Sequence, residues 1–270
     1  MTFDIVIVNY NNRDDLAACL ESLTAARPQR LARVIVVDNA STDGSAEYVA
    51  AHRPDVELIR QDHNSGFAAA NNVGIRRATA PLVLLLNSDT IVPAGALDGL
   101  VERLEATDAT AAGPRLVDGE GLPEVSFGPM LSPWGEALQR LRVRLAARRS
   151  PLARRYIARL TGRERFVDWV SGGCLLVRRQ AALDAGLLDE RYFLYEEDVD
   201  FCAALRARGG RILFTPRVTV VHLRGRSVRR AGPPSTFHYD RSHVAFYEKH
   251  LPGWAPLLRW WLKVRGRSVR

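Results

Sequence analysis

Five consecutive residues, LVLLL at Leu82–Leu86, constrain this chain more than any other stretch. They contain no polar side chain and stop abruptly at Asn87-Ser88-Asp89. A run this short, apolar on every residue, reads as a central strand covered on both faces, the usual situation in a parallel sheet packed between helices. The surrounding sequence repeats that demand. Phe3–Val8, Val34–Val37 and Val56–Ile59 read as further short strands. Between them, Asp14–Ala26 sets Leu16, Leu20 and Leu23 on one helical face. Thr42 or Asp43 can cap a helix running to His52, with Pro54 beyond its end. The polar loop QDHNSG leads into helix Phe67–Ala78, and helix Gly95–Ala106 follows the apolar strand. Repeated βαβ units imply an α/β fold with a doubly wound, mostly parallel sheet. At 270 residues the chain suits one such domain with additions.

The pattern loosens between Asp118 and Arg165, where Gly and Pro scatter and an arginine-dense, roughly amphipathic segment follows. Strand signals resume at Phe166–Val170 and Cys174–Val177. A capped helix spans about Glu197 to Arg208, with Gly209 and Gly210 as its stop signal. Arg211–Phe214 and Val218–His222 read as two strands, LRGRSVRRAGPPS as a basic loop, and two helices close the chain. The three cysteines, Cys19, Cys174 and Cys202, lack metal or disulfide spacing, which fits a reducing compartment. MTFDIVIVNY has no signal-peptide layout and no apolar run reaches the ~20 residues of a membrane span. The expected location is the cytoplasm, with the option of peripheral contact at the inner face of the membrane. Net charge is +8, and apart from Lys249 and Lys263 every basic residue is arginine, which suits phosphate-bearing partners.

Doubly wound sheets bind ligands at the carboxyl ends of their strands. Three such ends carry amides, hydroxyls and acids here: Asn9-Tyr10-Asn11-Asn12, Asp38-Asn39-Ala40-Ser41 and Asn87-Ser88-Asp89. These residue types also terminate strands and cap helices, yet three such loops on one rim imply a pocket. No GxGxxG or GxxxxGK[ST] is present, so neither a standard dinucleotide site nor a P-loop is supported. A short acidic loop after a buried strand, such as that bearing Asp89, can carry Mg²⁺ or Mn²⁺ and leave coordination positions for phosphate oxygens.

Six ordered blocks, DIVIVNYNNRDDLAACLESL, VIVVDNASTDGS, NSGFAAANNVGIRRA, LLLNSDT, SGGCLLVRR and LDERYFLYEEDVDFCAALRARG, resemble the family-2 glycosyltransferases of GT-A fold, in particular the bacterial rhamnosyltransferase-like branch. The resemblance covers roughly residues 3 to 227. It implies a nucleotide-sugar-binding Rossmann-like half at 1–115 and an acceptor or catalytic half at 116–235 with a basic helical insert at 134–165. A C-terminal helical extension, 236–270, completes the division. It further implies that Asp38, with Asn39 beside it, contacts the nucleoside, that Asn9 and Tyr10 lie beneath it, and that Asn64 lines the same pocket. Asn87-Ser88-Asp89 matches the family's DxD, with Asn87 in place of the first acid. Asp89 is then the metal ligand for Mg²⁺ or Mn²⁺, joined by His222. Asp198, preceded by Glu197, matches the general base of a single in-line displacement, which inverts the anomeric centre. Gly172 and Gly173 let backbone approach the sugar, and Arg224, Arg226, Arg229 and Arg230 are placed to close over the diphosphate.

The implied donor is a pyrimidine nucleoside diphosphate sugar, dTDP-L-rhamnose first and a UDP-sugar second. The implied acceptor is a cell-surface polysaccharide or a lipid-linked saccharide. Two other readings share some features. A sugar nucleotidyltransferase would want a glycine-rich loop with a basic clamp after the first strand, where NYNNRDD stands. A non-catalytic membrane- or nucleic-acid-binding protein would want basic strand-end loops, and these are acidic and amide-rich, so nucleic acid is not an expected partner. Arg140–Arg165, with ten arginines, and LPGWAPLLRWWLKV at 251–264 are the segments suited to a bilayer surface.

Overall fold

A computed structural model describes residues 1–148, 150–223 and 235–267. Its first strand, β1 (Phe3–Asn9), is buried along its whole length, and alternate side chains enter opposite cores. Phe3, Ile5 and Ile7 pack with Leu16, Leu20, Leu82, Leu84 and Leu86 on one face of the sheet. Val6 and Val8 pack with Ala68, Ile75, Val83 and Leu85 on the other. The LVLLL run is thus divided between two cores, which is why none of its positions is polar.

After β1 come α1 (Arg13–Ala26), β2 (Leu31–Asp38), α2 (Ser45–His52), β3 (Val56–Arg60), α3 (Phe67–Arg77) and β4 (Leu82–Asn87). β1 pairs in parallel with β2 and β4, and β2 with β3. The chain continues through β5 (Thr90–Ile91), α4 (Ala96–Glu105), β6 (Ala111–Val117) and β7 (Phe127–Gly128). α5 (Pro133–Arg148) and α6 (Pro151–Leu160) occupy the basic insert, and Ser150 caps α6 by accepting from the Ala153 N–H, with Pro151 opening the first turn. Then follow β8 (Arg165–Val167), β9 (Trp169–Val170), β10 (Cys174–Arg178), α7 (Arg179–Asp184), α8 (Glu197–Ala207) and β11 (Ile212–His222). α9 (Ser235–His250) and α10 (Ala255–Val264) complete the described chain.

The main sheet has nine strands in the order β3-β2-β1-β4-β10-β6-β11-β5, with β8 also on β11, and β7 and β9 form a separate ribbon. It is the expected α/β arrangement with a mostly parallel centre; β5 and β8 run antiparallel to β11 at one edge, and one reversal lies inside the sheet. β10 runs antiparallel between β4 and β6, placing Cys174 opposite Leu86. The residues entering β10 therefore arrive at the carboxyl end of β4. β11 is parallel to β6, so its last residue, His222, reaches the same rim.

Local details differ from the sequence expectation where a single residue interrupts a run. The two strands expected at 211–214 and 218–222 are one, β11, with a register shift between Thr215 and Thr219. Pro216 sits in that shift and has no N–H to give the ladder, so the strand bulges and continues. Phe166–Val170 divides at Asp168, whose carboxylate leaves the sheet to accept from the Met130 N–H at 2.7 Å and to pair with Arg206. Among the described residues, no helix is long and apolar enough to cross a membrane.

α3 lies close on β1 because Gly74 has no side chain: a Cβ there would stand 2.2 Å from a Val6 methyl. Gly74→Ala should therefore lower stability, by about 1–3 kcal/mol from overpacking, against roughly 1 kcal/mol gained in helix propensity. Denaturant unfolding checks the sign, and a stabilised variant would mean the helix does not rest on the strand as described.

Candidate active site

The parallel strands deliver their polar ends together, with Asn9 opposite Asp38 and Asn87 beside Val8. Asn9 is fully buried. Its amide donates to Asp38 at 3.3 Å and to Ser41 at 3.2 Å, while the Ser41 N–H donates to the second Asp38 oxygen at 2.9 Å. The Asp38 carboxylate is thus fixed by the loop it begins. Asn39 ties this loop to the next, donating to Asn64 at 2.8 Å and accepting from the Ser65 N–H at 3.0 Å. Its side chain holds the two loops in register. Tyr10 stands half-exposed at the mouth of the same group.

The second group gathers at the ends of β4 and β11. His222 is buried, with Nε2 3.3 Å from Asp89 and Nδ1 3.3 Å from Glu124. Burial works against its protonation, but the two carboxylates prevail and raise its pKa to about 9. The Asn87 amide nitrogen lies 3.4 Å from the same ring, and its Oδ1 is buried with no hydrogen-bond partner. Ser88 faces the neighbouring loop and accepts from Asn12 at 3.4 Å. Among the described residues, no three His, Cys, Asp or Glu side chains are arranged to form a metal site. An open one fits what is present: an acid, an imidazole and an orphaned amide oxygen in a field negative enough to draw a proton onto His222. A divalent cation would compete for that proton's place.

The third group is the acidic turn into α8. Tyr195 and Glu196 both take left-handed backbone, φ +72 and +68, an uncommon conformation for residues with a Cβ. The turn sends the four acids in separate directions. Glu196 meets His243 of α9 at 3.1 Å. Glu197 is buried with Oε2 unpartnered, and burial together with the Asp198 charge pushes its carboxyl well above the usual range. Asp198 is only half-buried and accepts from the peptide N–H groups of Gly172 and Val199, each at 2.8 Å. Burial raises Asp198 too, though those donors favour its ionised form and work against the rise. Asp200 points away, to Tyr192, Lys249 and His250, and serves to fasten α9.

Two adjacent glycines connect the groups. A Cβ on Gly172 would lie 3.3 Å from the Asp198 Cβ, and one on Gly173 would lie 3.6 Å from both the Asn87 amide and the His222 ring. Neighbouring Cα atoms are ~3.8 Å apart, so the Asp198 carboxylate and the Asn87–Asp89–His222 cluster flank one dipeptide. The donor-side loop joins as well: Gly66 has φ +88, and the Phe67 N–H bonds the Phe193 carbonyl at 2.7 Å.

Sequence reasoning did not single out Glu124, Glu136 or His243. Glu124 lies in the stretch where strand and helix patterns fail, and nothing local marks it. His243 and Glu136 sit on ordinary helical segments and gain meaning only from their contacts across the fold. Arg224, Arg226, Arg229 and Arg230 lie outside the described residues.

This is the GT-A architecture of sugar-transferring enzymes. The chain superposes on the crystal structures of GalNAc-T7 with UDP, GalNAc and Mn²⁺ (TM-score 0.62, 18% identity, 90% of this chain and 48% of that one). It also superposes on the mannosyltransferase PcManGT from Pyrobaculum calidifontis with GDP-Man and Mn²⁺ (TM-score 0.60, 20% identity, 95% and 68%). At such identities these likenesses speak for the fold alone. The profile of Glycosyl transferase family 2 matches residues 4–180, and the chain belongs to that family. It is 31% identical over 281 residues, 96% of its length and 88% of the other, to the N-acetylglucosaminyl-diphospho-decaprenol L-rhamnosyltransferase of Mycobacterium tuberculosis. A low-salt glycan biosynthesis hexosyltransferase of Haloferax volcanii is 26% identical, covering 75% of this chain and 61% of that protein. The protein is therefore a glycosyltransferase, which sets aside the nucleotidyltransferase and non-catalytic readings.

His243 gives the site a measurable pH response. Burial lowers its pKa, but Glu196 and Glu136 raise it to about 9. Its Nε2 lies 3.2 Å from Glu136, an ion pair whose angle falls outside hydrogen-bond geometry. Arg140 from α5, Asp198 from α8, and Tyr239 and Tyr247 from α9 are the other polar groups around the cluster. Because the folded pKa is the higher, the stabilisation is complete below about pH 6.5 and disappears as pH rises through about 9. Thermal denaturation across that window should show a loss in the wild type that is smaller in His243→Gln, where His222 alone of the two histidines still titrates. Parallel curves would mean the proton is not held by this cluster.

Proposed function

We propose that this enzyme transfers L-rhamnose, with inversion, from dTDP-L-rhamnose to a hydroxyl of a lipid-linked saccharide. The rhamnosyl and lipid-linked parts of the reading rest on the mycobacterial relative, whose name specifies both and which aligns along nearly the whole chain. A UDP-sugar is the second donor choice. The observation that carries the mechanism is the Gly172–Gly173 dipeptide, with a carboxylate on one flank and the Asn87–Asp89–His222 cluster on the other.

In this reading the nucleoside rests against Asn9, Tyr10, Asp38 and Asn64, and the diphosphate reaches toward Asp89. The acceptor oxygen attacks the anomeric carbon from the Asp198 side. As that bond forms, the hydroxyl proton moves to the Asp198 carboxylate, and the sugar–phosphate bond breaks with its electron pair leaving on the nucleoside diphosphate. Gly172 does two things. Its N–H aims Asp198, and its missing side chain leaves room for the sugar. Glu197, whose carboxyl burial and the Asp198 charge push upward, holds its proton more tightly than an exposed glutamate and so limits charge repulsion beside Asp198. Asp89, His222 and the Asn87 oxygen would hold Mg²⁺ or Mn²⁺, which when bound neutralises charge on the departing diphosphate.

Two measurements test this reading. Thermal shift against a panel of nucleotide sugars with Mg²⁺ or Mn²⁺ should show the largest stabilisation with dTDP-rhamnose; equal response to purine and pyrimidine donors would remove the nucleoside assignment. Asp198→Asn should keep the donor-induced shift and lose transfer by roughly 10²–10⁴-fold. Near-normal turnover in that variant would show that another group takes the proton.

A further inference from the structure

We propose that α5, α6 and α10 together form a docking face for an anionic lipid bilayer. The helices carry large apolar side chains outward, where the surface of a soluble protein would be polar. On α5, Trp134, Leu138 and Leu141 follow one another at helical spacing and are exposed, Trp134 to 85%. On α6, Leu152 is 82% exposed and Tyr156 lies one turn on, while Ala153 and Ile157 make the buried face. On α10, Leu257, Trp260 and Val264 point outward, Trp260 to 60%, and Ala255 and Leu262 point inward. The three helices are neighbours. α5 packs on α6, and the Arg140 guanidinium lies 5.9 Å from the centre of the Trp261 ring, bringing α5 to α10.

Charge selects the occupant. Residues 133–165 hold ten arginines against Glu136 and Glu164, an excess equal to the net +8 of the whole chain. A second excess lies in residues 224–270, with eleven Lys and Arg against Asp240 and Glu248, and the remaining chain is net acidic, so the basic charge is concentrated in the two segments that bear these stripes. An acidic protein or a nucleic acid would meet the arginines but leave Trp134, Leu152 and Trp260 in water. A bilayer of anionic lipid takes both: the tryptophans and leucines enter the headgroup boundary, and the arginine stems reach back to the phosphates.

The placement serves transfer, and this point rests on the lipid-linked acceptor proposed above. Opposite its exposed stripe, α5 buries Glu136 against His243, which pairs with Glu196, two residues before Asp198. One helix thus separates the lipid from the turn carrying the base. A saccharide tethered to that bilayer would present its hydroxyls to Asp198 without leaving the surface.

Sedimentation of the full chain with vesicles tests the proposal without turnover. The protein should pellet with vesicles containing one third phosphatidylglycerol and remain in solution with phosphatidylcholine alone. Its tryptophan emission should shift to the blue and be quenched by brominated lipid. The triple variant Trp134→Ser, Leu141→Ser, Trp260→Ser should partition roughly tenfold less while keeping its thermal shift with the nucleotide sugar. Failure of the wild type to bind anionic vesicles would overturn the proposal, as would undiminished binding by the folded variant. So would light scattering that shows a dimer lost in that variant, because a second copy would then cover the face. Vesicle binding that persists when no nucleotide sugar shifts the melting temperature would support the docking face and count against the donor assignment alone.

Discussion

Because β10 runs against its neighbours, the chain entering it surfaces among the carboxyl ends of the parallel strands. The candidate site is organised around that reversal. An N–H from Gly172 can then meet Asp198 at 2.8 Å, and Gly173 can sit against Asn87 and His222. A parallel β10 would bring the same glycines to the opposite edge of the sheet, leaving Asp198 without its donor and the two halves of the site unconnected. Small residues are required at this crossing because backbone, carboxylate and imidazole all converge on it.

The second organising feature is the way a basic protein handles its acids. Four carboxylates within five residues would repel one another if they shared a surface. The left-handed turn at Tyr195 and Glu196 separates them instead. Glu196 and Asp200 are each matched to histidine or lysine on α9, Glu197 is buried where its charge is disfavoured, and Asp198 keeps backbone donors and a route to solvent. The backbone strain of the turn is offset by those partners. α9 is consequently part of the site's framework, and α5 shares that work through Glu136.

Much of this was legible before any coordinates. The apolar strands, the helices between them and the three polar loops are local features, written as runs and periods, and they appear within about three residues of where the pattern puts them. The order of the family blocks made the family membership readable as well. The unread parts are contacts between segments that have no pattern in common. Glu124 lies in a stretch of irregular backbone yet reaches His222 across 98 positions. The bonds by which Asn39 ties its loop to Asn64 and Ser65 likewise join segments with no shared pattern.

The amino-acid order by itself determined that strands such as LVLLL must be covered on both sides and that polar residues must gather where those strands end. Hydrophobic burial and the two-residue period of a strand leave no other arrangement. Only the tertiary structure decided which acid among Glu196, Glu197, Asp198 and Asp200 faces the glycines, and that α5 turns its apolar stripe outward. Those outcomes depend on the direction of β10 and on which helix face meets α9. Both are long-range choices, and neither a spacing nor a composition contains them.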